Sequence, residues 1–482
     1  MVFEPLISVN KFILNASLQD FLLESVLGVV FLWCLYSWRK KKHSALSLEE
    51  EEEIIRNWHP EPLVSSSEPP IDRDPANYPL VTSKVDVITQ INGKNFLNFA
   101  SHNYYGFAAN PTVEKRVIDC LHKYGVGTCG PRGFYGTLDI HLNLEQKLAD
   151  FMGMEEAALY SYGFSAVASA ISAYAKKPDI IFADEKVNFR IQKGLDASRS
   201  TIVFFKHNDM DDLKAKLEEQ RKKDLKNPSK AKKIRRFCII EGIYMNTGNI
   251  CKLPEIVALC TEYKLRVFVD ESISLFTIGK TGRGVTEYFN IPTTEVDLIM
   301  GSLEFSLGSG GGFVIGTSYV VEQQRLSGLG YCFSASLAPI LTEAGMAAIE
   351  VLEQDVKLKD ELSSKCRYID EQLRKLLSDF FSVSGHGESP IKHLFLNVSL
   401  PRNEEETILK SIVKHCFKRN IILSMPTYLD KEVFMPRPSI LLTINVAVST
   451  SQISEMCSVL KDACTHVCFR QKFVFASQEI KI

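Results

Sequence analysis

The hydropathy pattern opens with one nearly unbroken apolar run, Phe21–Trp38. As a helix at 1.5 Å per residue it would rise roughly 27 Å, close to the ~30 Å hydrocarbon core of a bilayer. Glu24 lies near one end, within reach of headgroups, and Trp33, Tyr36 and Trp38 gather at the other, as interfacial aromatics do. Arg39-Lys40-Lys41-Lys42 follows. Positive charge stays on the cytosolic side, so the pattern predicts a single transmembrane helix over 21–38, a luminal N-terminus over 1–20 and a cytosolic remainder. A cleaved signal would carry its charge before the apolar run. Asn15-Ala16-Ser17 is a formal glycosylation sequon in that luminal tail.

Periodicity then lapses. Residues 39–92 read as a cytosolic linker: the acid run Glu49–Glu53 favours a short helix through Trp58, and prolines and serines between Pro60 and Pro79 favour a tether. Beyond it, short apolar runs alternate with helical stretches. Ala157–Ser161, Ile180–Ala183, Thr201–Phe205, Phe237–Glu241, Arg266–Asp270 and Asp297–Gly301 are candidate strands. Runs rich in Val, Ile and Phe without alternation suit a sheet buried on both faces, so an α/β domain with a mostly parallel sheet is expected over 93–350. A long helix (Ala338–Asp379) and the runs Leu394–Leu400, Ile421–Pro426 and Ile440–Val448 predict a small α+β domain over 351–482.

Composition narrows the classes. Of 482 residues 45% are hydrophobic, which suits a sizeable core, and the formal charge of -2 gives no case for nucleic acid as a partner. The basic stretch Lys214–Arg236 is mixed with acids and reads as a solvated helix and loop. The 12 cysteines contain no CxxC pair, and no Cys/His set has zinc spacing, so no metal site is expected.

Four stretches carry more specific information. They are Asn98–Gly106; the glycine-rich Tyr124–Thr137 with His141, Leu144 and Glu145; Glu241–Tyr244 with Gly248, Leu253-Pro254 and Val269-Asp270-Glu271; and Gly301-Ser302-Leu303 with Gly308–Gly312 and Phe333–Ser336. In this order and spacing they resemble the α-oxoamine synthase family over roughly residues 90–470. These are fold-type I pyridoxal-phosphate (PLP) transferases that condense an amino acid with an acyl-CoA. Tyr124–Thr137, Ser161–Ser165 and Ser198–Met210 are similar to the serine palmitoyltransferase branch. That likeness implies L-serine and palmitoyl-CoA as substrates at a shared site, 3-ketosphinganine as product, and the endoplasmic-reticulum membrane as location. It also implies a heterodimer with a catalytic second subunit, and small activating and regulatory membrane proteins.

PLP chemistry needs a lysine for covalent attachment, a carboxylate opposite the pyridinium nitrogen, a flat group on the ring, and donors for the phosphate. By the resemblance, Asp270 matches the carboxylate. The family's lysine position is Phe305, in Gly301-Ser302-Leu303-Glu304-Phe305, and its two histidine positions are Asn188 and Ile273. Phenylalanine has no nitrogen to attach a cofactor. Lys280 sits in Gly279-Lys280-Thr281 on the loop after Asp270, and Ser274 stands where a phosphate-binding loop needs glycine. The implied reading is a subunit without its own catalytic residues, Asp270 being vestigial, while a partner subunit binds PLP covalently. Asn103, Tyr104, Tyr105, Cys129, Arg132, Ser334 and Ser336 are the candidates for completing the partner's active site. Two other readings stay open: a self-sufficient oxoamine synthase, and a scaffold that contributes to no active site.

Overall fold

The structure, a computed structural model, describes residues 18–41, 46–63 and 78–471, with side chains placed for 25–37, 46–63 and 78–467. It divides into two compact units, Met1–Tyr78 and Pro79–Ile482.

In the first unit a helix runs from Leu18 to Lys41 and a second from Leu48 to Asn57. The second is closed by a capping box, in which the Ser47 hydroxyl accepts from the Glu50 N–H and the Glu50 carboxylate from the Ser47 N–H. This agrees with the expected short helix in the acid run. The expected membrane span over 21–38 is not supported: among the described residues no helix is long and apolar enough to cross a membrane. The placed side chains of the first helix cover only Ser25–Ser37, about 20 Å of helix. The sequon at Asn15, Lys42 and the tether prolines Pro69, Pro70 and Pro75 lie outside the described residues.

The second unit is built on a seven-stranded sheet. Its strands are β3 (Glu156–Tyr160), β4 (Ile180–Asp184), β5 (Thr201–Phe205), β6 (Arg236–Glu241), β7 (Arg266–Asp270), β8 (Leu298–Ser302) and β9 (Gly312–Gly316), in the order β3-β9-β8-β7-β6-β4-β5. Only β9 runs against its neighbours. The six expected strands are present, each within a residue or so of its expected bounds. β9 was not foreseen, because glycines bracket its short Phe-Val-Ile core. Those glycines have a packing role. A Cβ on Gly312 would come within 2.6 Å of the Ala166 Cβ and 2.7 Å of the Gly163 Cα, so the helix Gly163–Tyr174 can lie directly on the sheet.

Two smaller sheets flank the large one. In the first, β1 (Ile88–Ile91) and β2 (Lys94–Asn98) form a hairpin, and β12 (Ile421–Ile422) pairs parallel to β2. The hairpin turns on Asn92-Gly93, both with positive φ, as a tight two-residue turn requires. So the last part of the expected linker is folded into the domain. The second sheet is antiparallel, ordered β10 (Phe381–Ser384), β11 (Ile391–Leu396), β13 (Ile440–Thr443). The expected long helix is two, Pro339–Gln354 and Lys357–Leu376. Asp355 makes the break: its carboxylate accepts from the Lys357 N–H at 3.2 Å and so starts the second helix.

Candidate functional site

The sheet register brings acids together. Glu241 and Asp270 are paired neighbours at the ends of β6 and β7, where parallel α/β sheets place their ligands. Both are buried. Glu241 accepts from the Asn188 N–H at 2.7 Å and the Met245 N–H at 3.0 Å. Asp270 is engaged on both oxygens. Oδ1 accepts from the Ser272 N–H at 3.0 Å and from its hydroxyl, and Oδ2 from Asn188 Nδ2 at 3.0 Å. The Arg190 guanidinium stands 3.7 Å from Oδ2. Among the described residues Arg190 Nη2 has no hydrogen-bond partner.

From Asp270 the side chains then stack in series. The Arg190 guanidinium lies 5.3 Å from the centre of the Phe305 ring, a cation–π contact. The His102 ring also packs on Phe305, at 4.7 Å between centroids. His102 Nδ1 meets the Tyr104 hydroxyl at 2.8 Å. Ile273 is buried nearby in sequence and offers no polar atom. Thus Asn188 and Phe305, which hold the histidine and lysine positions of the resemblance, are structural: one hydrogen-bonds Asp270, the other packs against His102 and Arg190.

These residues do not fit a covalently held PLP ring. Covalent attachment needs an amine, and Phe305, near Asp270, has none. Phe305, His102 and Arg190 are packed on one another beside it. His102 lies in the Asn98–Gly106 stretch without being among the candidate site residues, and Arg190, two residues beyond Asn188, lies outside the expected motifs.

The other predicted site residues separate into two groups. Most face inward. Asn103 Nδ2 donates to the Val85 carbonyl at 3.0 Å, Tyr104 is fully buried, and the Tyr105 hydroxyl donates to the Phe276 carbonyl at 2.6 Å. Arg132 was expected to help complete the partner's active site. Instead it is buried in a two-pronged ion pair with Glu145, Nη1 to Oε1 at 2.6 Å and Nη2 to Oε2 at 3.0 Å, with Nε donating to Thr137 Oγ1 at 2.9 Å. A guanidinium with those donors committed has little left for a ligand. Ser334 and Ser336, expected as phosphate donors, give their single hydroxyl protons to the carbonyls of Gly330 and Gly130.

Only Cys129 is exposed, in a left-handed conformation at φ 60°. It heads an apolar surface. Val126, Phe134, Tyr135 and Phe333 are all largely exposed, Tyr135 fully so. Two links hold this surface in shape. The Ser336 N–H donates to the Gly130 carbonyl at 2.9 Å, and Gly136 passes so close to Gly130 that a Cβ would lie 1.9 Å from its carbonyl oxygen. Exposed apolar groups gathered this way mark an interaction face.

The buried acids and histidines give stability a pH signature. Burial, with Asp270 alongside, pushes Glu241 up to about 8 against the pull of its two main-chain donors, and burial pushes Glu271 up to about 7. Burial brings His102 and His393 down to about 4, with Arg190 adding to the effect on His102. The raised acids hold protons in the folded chain that the unfolded chain has lost, so their contribution disappears as pH rises through 7 and 8. The lowered histidines contribute above 6.5 and lose that contribution as pH falls through 4. Resistance to urea should therefore fall between pH 6.5 and 8, and Glu241→Gln should flatten the decline. Parallel profiles for parent and variant would contradict this assignment.

Comparison with known proteins agrees with this architecture. The aminotransferase class I and II model matches residues 94–460. Serine palmitoyltransferase 1 of Dictyostelium discoideum is 38% identical, over 95% of this chain and 96% of that protein. Long chain base biosynthesis protein 1 of Arabidopsis thaliana is 39% identical, over 85% of this chain and 84% of its own. Among solved structures, a serine palmitoyltransferase variant from S. paucimobilis with a bound PLP–myriocin adduct superposes with a TM-score of 0.73 at 25% identity, covering 81% of this chain and 93% of that one. With a six-plus-one-stranded sheet, paired acids at its strand ends and relatives of this similarity along nearly its whole length, the chain belongs to the serine palmitoyltransferase 1/long chain base biosynthesis protein 1 group of the aminotransferase class I and II family of PLP-dependent transferases.

Proposed function

We propose that this chain is the lysine-less subunit of a heterodimeric serine palmitoyltransferase, which condenses L-serine with palmitoyl-CoA to 3-ketosphinganine, the first step of sphingolipid synthesis. The observation that carries the proposal is Phe305, packed against His102 and Arg190 where the resemblance calls for lysine. With no lysine at that position, the proposal places the chemistry in a second chain, which binds PLP through its own lysine. This chain's contribution is the face built by Tyr124–Thr137 and Phe333–Ser336, with Cys129 at its surface. A self-sufficient oxoamine synthase is opposed by the same packing. The inward turn of Arg132 favours a second reading, the pure scaffold, because it removes one group from the ligand side. Cys129 and its glycine-rich frame favour the shared site.

Replacement at the exposed face separates these readings. Tyr135→Asp with Phe333→Asp changes only exposed side chains, and should abolish co-purification with the catalytic subunit and, with it, turnover. Cys129→Trp should leave assembly intact and lower turnover on serine by roughly tenfold or more, since placement errors of about an ångström are costly at a reacting centre. Intact assembly with unchanged rates on serine and alanine in the Cys129→Trp complex would make the chain a scaffold.

The proposal includes anchoring in the endoplasmic-reticulum membrane through the Phe21–Trp38 run, with residues after Arg39 cytosolic. Support comes from the apolar run and its basic flank. Protease treatment of sealed microsomes should digest the domain from residue 45 onward; a protected domain would reverse the orientation.

A further inference from the structure

The basic stretch Lys214–Arg236 is sorted in space. The helix Met210–Lys226 buries Leu213 and Leu217, and no residue from 218 to 236 is buried. Its last turns therefore stand off the core, and the short helix Pro228–Ala231 follows them. The acids fall mainly in the packed half. From Gln220 to Arg236 there are nine Lys and Arg against one acid, Asp224, in a chain whose net charge is -2.

Pairing leaves an excess. Arg221 stands 3.5 Å from Glu218, Lys223 2.7 Å from Glu219, Arg235 2.8 Å from Asp179 and Arg236 2.7 Å from Asp224. The other five, Lys222, Lys226, Lys230, Lys232 and Lys233, are exposed and have no ion-pair partner among the described residues. Glu262 shares a groove with Lys232 and Lys264 and offsets one of those charges at most. Leu225 is 71% exposed among them, next to Lys226 and one helical turn after Lys222. Uncompensated lysines around a projecting leucine match a plane of negative charge with an apolar layer beneath it.

We propose that residues 221–233 form a docking surface for an anionic lipid bilayer, the lysines meeting headgroup phosphates and carboxylates and Leu225 entering the boundary below them. The proposal rests on the reading that the chain is anchored at the cytosolic leaflet, which carries the negative charge such a patch needs. The test is acetylation footprinting of the purified heterodimer on vesicles of phosphatidylcholine, with and without added phosphatidylserine. Reactivity is read lysine by lysine from peptide mass spectra, and flotation reports total binding.

Phosphatidylserine should lower the reactivity of the five lysines by roughly tenfold, and high salt should restore it, since a charged surface attracts each nearby lysine several-fold. Lys222→Glu, Lys226→Glu, Lys230→Glu and Lys233→Glu together, all at exposed positions, should leave Lys232 equally reactive on both vesicles. The same four changed to Arg should keep Lys232 protected, with turnover reporting that both complexes are assembled. The apolar run Phe21–Trp38 would bind either vesicle, so failure of the anchoring reading shows as no flotation with phosphatidylcholine, while the footprint still decides the patch. Equal reactivity on the two vesicles, or loss of Lys232 protection in the Arg variant, would overturn the proposal. So would protection in native microsomes without protection on phosphatidylserine vesicles, which would assign the patch to an acidic protein.

Discussion

A carboxylate buried at the end of a strand must be hydrogen-bonded or paired, and Asp270 meets that requirement entirely from within this chain. Ser272 and Asn188 occupy its oxygens, and Arg190 stands behind them. Everything around the strand ends follows from this arrangement. Arg190 is drawn in toward Asp270, Phe305 packs on Arg190, and His102 packs on Phe305. With Glu241 beside Asp270, the site holds two acids that could not both stay charged and unpaired in so dry a place. Here Asp270 is an internal anchor, hydrogen-bonded by Ser272 and Asn188.

The same economy extends to the glycine-rich loop. Its one cation, Arg132, closes on Glu145, and Glu145 also accepts from the Leu159 N–H at the large sheet. The loop is thereby held to the core from inside, while its outer side carries Cys129, Val126, Phe134 and Tyr135. Removing one member of a buried ion pair costs far more than an exposed contact returns, so Arg132 is a fixed strut and not an adaptable ligand-binding arm. The surface it supports is apolar and shaped by backbone contacts between glycines. Such a surface suits a permanent partner better than a transient one.

Much of the fold was legible because it rests on burial pattern. Strands buried on both faces read as unbroken Val, Ile and Phe runs, and those strands are found where expected. The departures have local causes. β9 is short and bracketed by glycines, so its pattern resembles a loop. The break at Asp355 carries neither glycine nor proline, only a side chain that caps the next helix. The Asn92-Gly93 turn was a visible signal that the folded region begins before residue 93. At the site, the identities of Phe305, Asn188 and Ile273 are read directly from the sequence. What each side chain faces is not. Ser336 and Tyr105 turn inward to carbonyls far away in sequence, Gly130 and Phe276, and residue spacing carries no information about such pairings, whereas Ser334 bonds Gly330 one helical turn back and Arg132 pairs with Glu145 of its own motif stretch.

The central claim is that cofactor chemistry belongs to a second chain. The most direct measurement is the cofactor content of the purified heterodimer after borohydride reduction, by intact mass of each subunit. One pyridoxyl group per heterodimer, found on the catalytic subunit, with this chain at its unmodified mass, is the predicted result. A pyridoxyl-lysine anywhere in this chain would contradict the account.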